Sequence, residues 1–336
     1  ALLANRTLGP GMGLDQGFHS YGIAAKEKES FLGEHLLKAA KPIIADGEPL
    51  MLWAHWMSPH QPYSPPEPQA LAFTAQAEPA ADNDLLYSFH RNPSLLTFQD
   101  KKHCIGLYDA EILTAAQRIQ VFLAGLDQSY RLASRGGLLE NAVVVFFSDH
   151  GEELGDRHGY FLHAKSLYSS VLRVPLLIAT SGLEPSRNPD PVALQRVLPW
   201  LVHGDSLQQK SFPGSWQTEY YSWRKDNWTL IHNPSGNPDG PLEPPVDAKY
   251  PYPKVALFDR TSDPNELIDV SKQHPEVVRE MMAELHAWFG DLKILEAIFL
   301  PGTDPQARRE ELAALGYLDE VPDTLIPPWK PENWNP

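Results

Sequence analysis

The sequence has one cysteine, Cys104, so no intramolecular disulfide can form and cysteine usage leaves the compartment open. It has no run of Lys or Arg: 28 basic residues stand against 43 acidic ones, a formal net charge of -15. The summed field of such a chain repels polyanions, which counts against a nucleic-acid partner. An anionic substrate would need local positive potential, from a divalent cation or a few His, Lys or Arg side chains. Long hydrophobic runs are missing as well. The stretches around 142–147 and 174–178 fall far short of the roughly 18 to 20 residues that cross a bilayer. No internal repeat is present, and the sequence, which starts at Ala1 without a methionine, shows no signal-peptide pattern, as expected of a processed or truncated N-terminus.

Proline is plentiful, with 32 residues clustered at 58–68, 182–191, 233–253 and 326–336. These clusters read as long surface loops and a tail. Between them, strand-like runs fall at 50–57, 142–148, 173–180, 228–232 and 255–259. Apolar residues at Ile112, Ala116, Ile119, Leu123, Leu126 and Tyr130 predict an amphipathic helix from Leu107 to about Ser134, stopped by Gly136-Gly137. Pro275 opens a second helix toward Phe289, and Asp304-Pro305 with Gly316 frames a short third. The expected fold class is α/β, with 1–203 as a larger region, 204–320 as a smaller C-terminal α+β region and 321–336 as a Pro-rich tail.

At 142–155 an all-apolar run, expected to be a buried strand, ends in Ser148-Asp149-His150-Gly151-Glu152. The C-terminal end of a strand in an open α/β sheet is where ligands gather. A carboxylate and an imidazole at adjacent positions can share a divalent ion if the strand gives way to a turn, which Gly151 allows. Spacing alone leaves a second reading, in which Asp149 caps the next helix and His150 is a surface residue.

The run Ser148-Asp149-His150-Gly151-Glu152, then Gly155-Asp156-Arg157-His158-Gly159, then Leu167-Tyr168 and Leu172-Arg173-Val174-Pro175-Leu176, resembles the downstream signature of the sulfatase family. The resemblance implies an alkaline phosphatase-like mixed sheet flanked by helices. It also implies that Asp149 and His150 are two ligands of one divalent cation, Ca2+ before Mg2+ or Mn2+. Pro59-His60-Gln61-Pro62-Tyr63 resembles the family's Pro-His-x-Pro-Tyr loop, which makes His60 a sulfate contact and acid for the leaving oxygen. His163, ranked above Lys165, resembles the further sulfate-binding position before Leu-Tyr. Shorter resemblances run from Gly13-Leu14-Asp15-Gln16-Gly17-Phe18 and Tyr108-Asp109-Ala110-Glu111 to Leu315-Gly316-Tyr317-Leu318.

What the family would add is missing. Neither Cys-x-Pro-x-Arg nor Ser-x-Pro-x-Arg, the context of its formylglycine nucleophile, occurs here: Cys104 lacks the Pro and Arg, and Ser211-Phe212-Pro213 lacks the Arg. The acidic pair that completes the metal site is also absent, since Asp82 and Asp84 lie in a polar, loop-like context. The expectation is therefore an N-terminally truncated sulfatase, inactive alone, whose intact form hydrolyses a small-molecule or glycan sulfate ester. The same motifs serve phosphoryl or phosphonate ester hydrolases and phosphoethanolamine transferases, and could persist as scaffold in a non-catalytic binding module. The resemblance leans toward a periplasmic or secreted protein.

Overall fold

A computed structural model describes residues 1–5, 8–9, 13–24, 26–74, 81–157, 160–163, 166–188, 190–216, 220–233 and 254–291. The expected helix at 304–316 and the Pro-rich tail lie outside the described residues. The elements run β1 (Leu2–Leu3), β2 (Gly22–Ile23), α1 (Leu32–Asp46), β3 (Ala54–His55), α2 (Glu67–Phe73), α3 (Asn83–Arg91), α4 (Phe98–Leu132) and α5 (Leu138–Asn141). They continue with β4 (Val144–Phe147), β5 (Glu153–Leu154), β6 (Phe161–Leu162), α6 (Ser169–Leu172), β7 (Leu176–Ala179) and α7 (Val197–His203). The last are β8 (Ser211–Trp216), β9 (Tyr220–Lys225), β10 (Trp228–His232), β11 (Val255–Asp259) and α8 (Pro275–Asp291).

The fold is α/β, with its strands in small sheets. β1 lies between β2 and β3, both parallel to it, while β4 and β7 pair antiparallel, as do β5 and β6. A four-stranded antiparallel sheet, ordered β11-β10-β9-β8, follows. Among the described residues, no helix is long and apolar enough to cross a membrane.

Helix α4 organises the first half. It begins at Phe98 rather than near Leu107, because Thr97 and Asp100 form a capping box that satisfies the first-turn N–H groups. Its buried face also differs from the expected stripe. Ile112 and Ala116 are exposed, and the helix buries Leu107, Ala110, Thr114, Ala115, Phe122 and Leu126. Small and polar residues allow close packing there, so a count of large apolar residues misplaces the face. Leu32, Leu36, Ala40 and Ile44 of α1 pack on Phe122 and Leu126 from one side. Tyr63, Leu86, Phe89 and Phe161 close on Leu107 from the other.

The run at 142–148 is not a buried strand. Val144 and Val145 are half-buried, and Phe146 and Phe147 are 37% and 48% exposed, because β4 has only β7 hydrogen-bonded beside it among the described residues. The C-terminal sheet buries both faces. Tyr221, Trp223, Leu230 and Leu257 pack on Met281, Met282 and Leu285 of α8, while Tyr220, Ile231, Ala256 and Phe258 pack on Leu167.

Candidate active site

The loop after β3 and the segment after β4 meet at one cleft, with a third segment behind them. The first is the loop after β3. Two buried carboxylates hold it: Glu29 Oε2 accepts from Met57 N (2.6 Å) and Ser58 N (2.9 Å), and Glu111 Oε1 accepts from Ser64 N (3.0 Å). Arg118 pairs with Glu29 and balances its buried charge. Between these anchors His60 is buried, its backbone N–H donating to Met57 O (2.8 Å) and its ring Nδ1 bonded to Gln61 O (2.8 Å).

The second segment follows β4. Ser148 Oγ donates to His150 O (2.7 Å), His150 N donates to Asp149 Oδ1 (3.1 Å), and His150 Nδ1 bonds Gly151 O (2.9 Å). The next element is strand β5, so Asp149 caps no helix. Gly151 is needed for close approach rather than for a left-handed turn: a Cβ there would meet Ser170 O at 2.1 Å. That approach lets Gly151 N donate to Val171 O (2.6 Å) and Glu152 N to Ser170 O (3.1 Å), fixing the loop beneath the cleft.

His163, just after β6, is the third contribution. Its Nδ1 lies 3.0 Å from Glu152 Oε1, with both side chains buried. Its ring stacks on His150 at 3.9 Å between centroids (24° between planes) and meets His60 edge-on at 4.9 Å (67°). His60 and His150 are 6.4 Å apart. His163 does not line the cleft; it packs behind the other two rings. Burial, then the neighbouring His150, hold its pKa down to about 3 against a smaller opposing pull from Asp149. Lys165 lies outside the described residues.

The cleft has about 60 Å3 of water-accessible volume, room for a few waters or one small anionic group. Its walls include Asn5, His55, His60, Tyr108, Asp149, His150 and Glu152, and no Lys or Arg among the described residues. Sequence reasoning passed over Asn5, His55 and Glu152 as site residues. Glu152 stood within the quoted motif, but nothing local showed that its carboxylate meets a histidine eleven residues later. The Tyr108 phenol is pushed up to about 12 by burial and then by the Glu152 charge.

A divalent cation fits this donor set in part. Asp149 Oδ1 and His150 Nε2 stand 3.8 Å apart, a spacing two ligands of one ion can share, and the buried His55 Nδ1 has no hydrogen-bond partner among the described residues. No group of three or more His, Cys, Asp or Glu among the described residues is arranged to hold a metal, so Asp149 and His150 stand as a candidate pair of ligands. Of the two acids expected in a loop, Asp84 lies in the first turn of α3 and Asp82 caps that helix, accepting from Leu85 N (2.9 Å).

Residues 16–203, more than half of the chain, match the family described as Sulfatase. The chain belongs to the sulfatase family. It is 29% identical over 172 residues to Arylsulfatase K of Xenopus laevis, covering 45% of this chain and 32% of that protein. It is 25% identical over 170 residues to Arylsulfatase K of Mus musculus, covering 45% and 30%. The chain thus spans about a third of the length of these curated relatives. Among solved structures it is similar to yidJ of Bacteroides fragilis, named as a candidate sulfatase, at 19% identity and TM-score 0.52, covering 79% of this chain and 58% of that one. A Bacteroides thetaiotaomicron protein labelled 4S-sulf, from a locus for metabolism of multiple glycosaminoglycans, gives 18% identity, TM-score 0.52 and the same coverage. These two likenesses show the sulfatase fold, the alkaline phosphatase-like α/β architecture.

Proposed function

We propose that this cleft is part of the active site of a sulfuric ester hydrolase whose substrate is a small-molecule or glycan sulfate ester. The observation that carries the reading is the convergence of His60, Asp149 and His150 on one cleft that has no Lys or Arg among its described walls. A monoanionic ester entering beside two carboxylates requires positive charge, and a bound cation is the compact way to provide it. Asp149 and His150 hold that cation, Ca2+ by family resemblance with Mg2+ or Mn2+ as substitutes. When bound, it polarises the sulfate group and stabilises negative charge that develops on its oxygens.

The chain's own residues then divide the work. Asp149, with its carboxylate largely exposed, supplies charge, and the His150 ring is oriented by its bond to Gly151 O. His60, fixed between the Glu29 and Glu111 anchors, faces the ester and serves the leaving oxygen. Neutralisation of oxygen charge falls to Lys165 in this reading, because His163 lies behind the first rings and its lowered pKa keeps it uncharged. The nucleophile is a formylglycine supplied from outside these 336 residues, since neither of its precursor contexts occurs within them.

The test is hydrolysis of a nitrophenyl sulfate by the protein with its nucleophile-bearing segment. His60→Ala is expected to lower kcat/KM by about 10²- to 10⁴-fold, and chelation to remove activity. The 336-residue chain alone is expected to release no nitrophenol. Saturable turnover by the chain alone, lost on His60→Ala, would overturn the assignment of the nucleophile. Full activity of His60→Ala in the longer protein would overturn the site.

A further inference from the structure

All three imidazoles of the cluster are anchored through the same nitrogen. His60 Nδ1 bonds Gln61 O at 2.8 Å and His150 Nδ1 bonds Gly151 O at 2.9 Å. A carbonyl oxygen can only accept, so each of these rings carries its proton on Nδ1. His163 Nδ1 meets a carboxylate, Glu152 Oε1, at 3.0 Å, and an ionised carboxylate likewise only accepts. In their neutral forms His60, His150 and His163 therefore all have Nε2 as the lone-pair nitrogen. A histidine that ligates a metal is usually anchored in this manner, with its other N–H given to a carbonyl or carboxylate.

We propose that Glu152 is a positioning residue: by accepting the Nδ1 proton of His163 it locks that ring as a wedge behind His150 and His60, and so sets the Nε2 nitrogen of His150 toward its cation. The inference deepens the active-site reading above and rests on it for the role of His150. The coupling is short. Glu152 is tied at its backbone to Ser170 O (3.1 Å), its carboxylate fixes His163, and His163 stacks on His150 at 3.9 Å. His60 sits at the edge of the same wedge, 4.9 Å from His163. With Nδ1 protonated, a neutral His60 meets a substrate as a hydrogen-bond acceptor at Nε2. It gains a proton there before it can give one to a leaving oxygen. Removal of the Glu152 carboxylate frees His163 to exchange its tautomer and to turn, and the stack on His150 loses its fixed backing.

The test uses the uniformly ¹⁵N-labelled chain at neutral pH, with imidazole ¹⁵N shifts read from long-range ¹H–¹⁵N correlation spectra and Mn2+ as the probe ion. Wild-type His60, His150 and His163 are each expected as the Nδ1–H tautomer. Glu152→Ala should move His163 toward the Nε2–H form and weaken Mn2+ broadening of His150 about tenfold, the lower end of what loss of an outer partner costs a metal site. A purely structural role for Glu152 would leave the His163 tautomer unchanged in any folded variant. Wild-type His163 with its proton on Nε2 overturns the inference whether or not Glu152→Ala folds, as does a folded Glu152→Ala with wild-type tautomer and Mn2+ affinity. If wild type shows the Nδ1–H tautomers and Mn2+ leaves His150 untouched, the wedge is supported and the metal reading of Asp149 and His150 falls separately.

Discussion

Glu152 and Glu153 are consecutive buried carboxylates that serve two differently built clusters. Glu152 turns to His163 and the cleft. Glu153 accepts from Arg157 Nη1 (2.8 Å) and Ser166 Oγ (2.7 Å), in a cluster that joins this segment to the C-terminal sheet. There Arg157 also donates to the backbone oxygens of Asn265 and Glu266 and lies over the Tyr168 ring at 3.8 Å. Glu266 accepts from Ser169 N and Ser169 Oγ (both 2.7 Å) and stands 3.7 Å from Arg224, which donates to Leu167 O (2.7 Å). In the junction every carboxylate just named has a guanidinium beside it. The cleft instead sets Asp149 and Glu152 among imidazoles, with no Lys or Arg among its described walls. A cluster whose charges already match has a structural task, whereas the proposed function gives the cleft a cation to receive.

The largest effect should come from breaking the junction. Glu266→Ala leaves Arg224 buried without its carboxylate and removes both acceptors of Ser169, at a cost of about 3–5 kcal/mol in unfolding free energy. Urea denaturation checks this. A loss under 1 kcal/mol would mean that the two clusters do not differ as argued.

Acid comes next in size. Burial, partly offset by the hydrogen bond to Lys254 O, lowers the His232 pKa to about 4, well below the ordinary 6.5. The unfolded chain then binds a proton that the native chain refuses between pH 6.5 and 4. Stability accordingly falls as pH drops through that window, by roughly 3 kcal/mol for this residue alone. His163, lowered to about 3, adds to the same slope. Denaturation at pH 7 and pH 4.5 should show the fall, and His232→Gln should flatten it.

Asp149→Ala is the matching change in the cleft. It removes an exposed carboxylate with no guanidinium partner in the described structure, so its effect should appear in binding rather than in folding. Divalent-ion affinity should drop by more than about 100-fold, since losing a ligand costs more than losing an outer partner. Calorimetric titration with Mn2+ or Ca2+, alongside denaturation, separates the two. Lost stability with unchanged ion affinity would assign Asp149 to the scaffold.

How much of this was legible in the sequence varies with the range of the interactions. β10 and β11 occupy the residues that periodicity marks at 228–232 and 255–259, and α8 buries Met281, Met282 and Leu285 as its spacing requires. The hairpin of β8 and β9 was invisible. Pro213 argues against a strand unless it lies on an edge, where β8 lies, and β9 buries Ser222 and Arg224 with its aromatics, so no alternation appears. Helix α1 was hidden by Pro42 within it. That His60, Asp149, His150 and His163 lie together was expected from motif resemblance, with Asp149 and His150 also marked by their place after an apolar run. Their partners Glu29, Glu111 and Glu152 were not, because a buried carboxylate is recognised by what it meets in space. The exposure of Phe146 and Phe147 likewise depends on which strands lie beside β4 and cannot be read from a run of apolar residues.

The smallest expected effect tests whether that contrast is one of burial and charge or merely of polar bonding in general. Thr97 and Asp100 at the start of α4 form a third polar cluster, in which Thr97 Oγ1 accepts from Asp100 N (3.1 Å) and Asp100 Oδ2 accepts from Thr97 N (3.1 Å). Both hydrogen bonds are exposed to water, which competes for the same groups, and α4 continues for 35 residues under the cover of two cores. Thr97→Ala should therefore cost about 1 kcal/mol, the usual value of a lost N-cap, and leave divalent-ion affinity within about twofold. The same helix presents Tyr108 to the cleft and sends Arg118 to Glu29, so a fraying first turn could reach the site only by propagating ten residues inward. Helix fraying falls off within the first turn or two. A large loss of ion affinity in Thr97→Ala would show that α4 transmits its end state to the cleft and that the site lacks the rigid backing assigned to it. A small, purely global loss would leave the contrast between the paired junction and the cleft proposed to receive a cation intact.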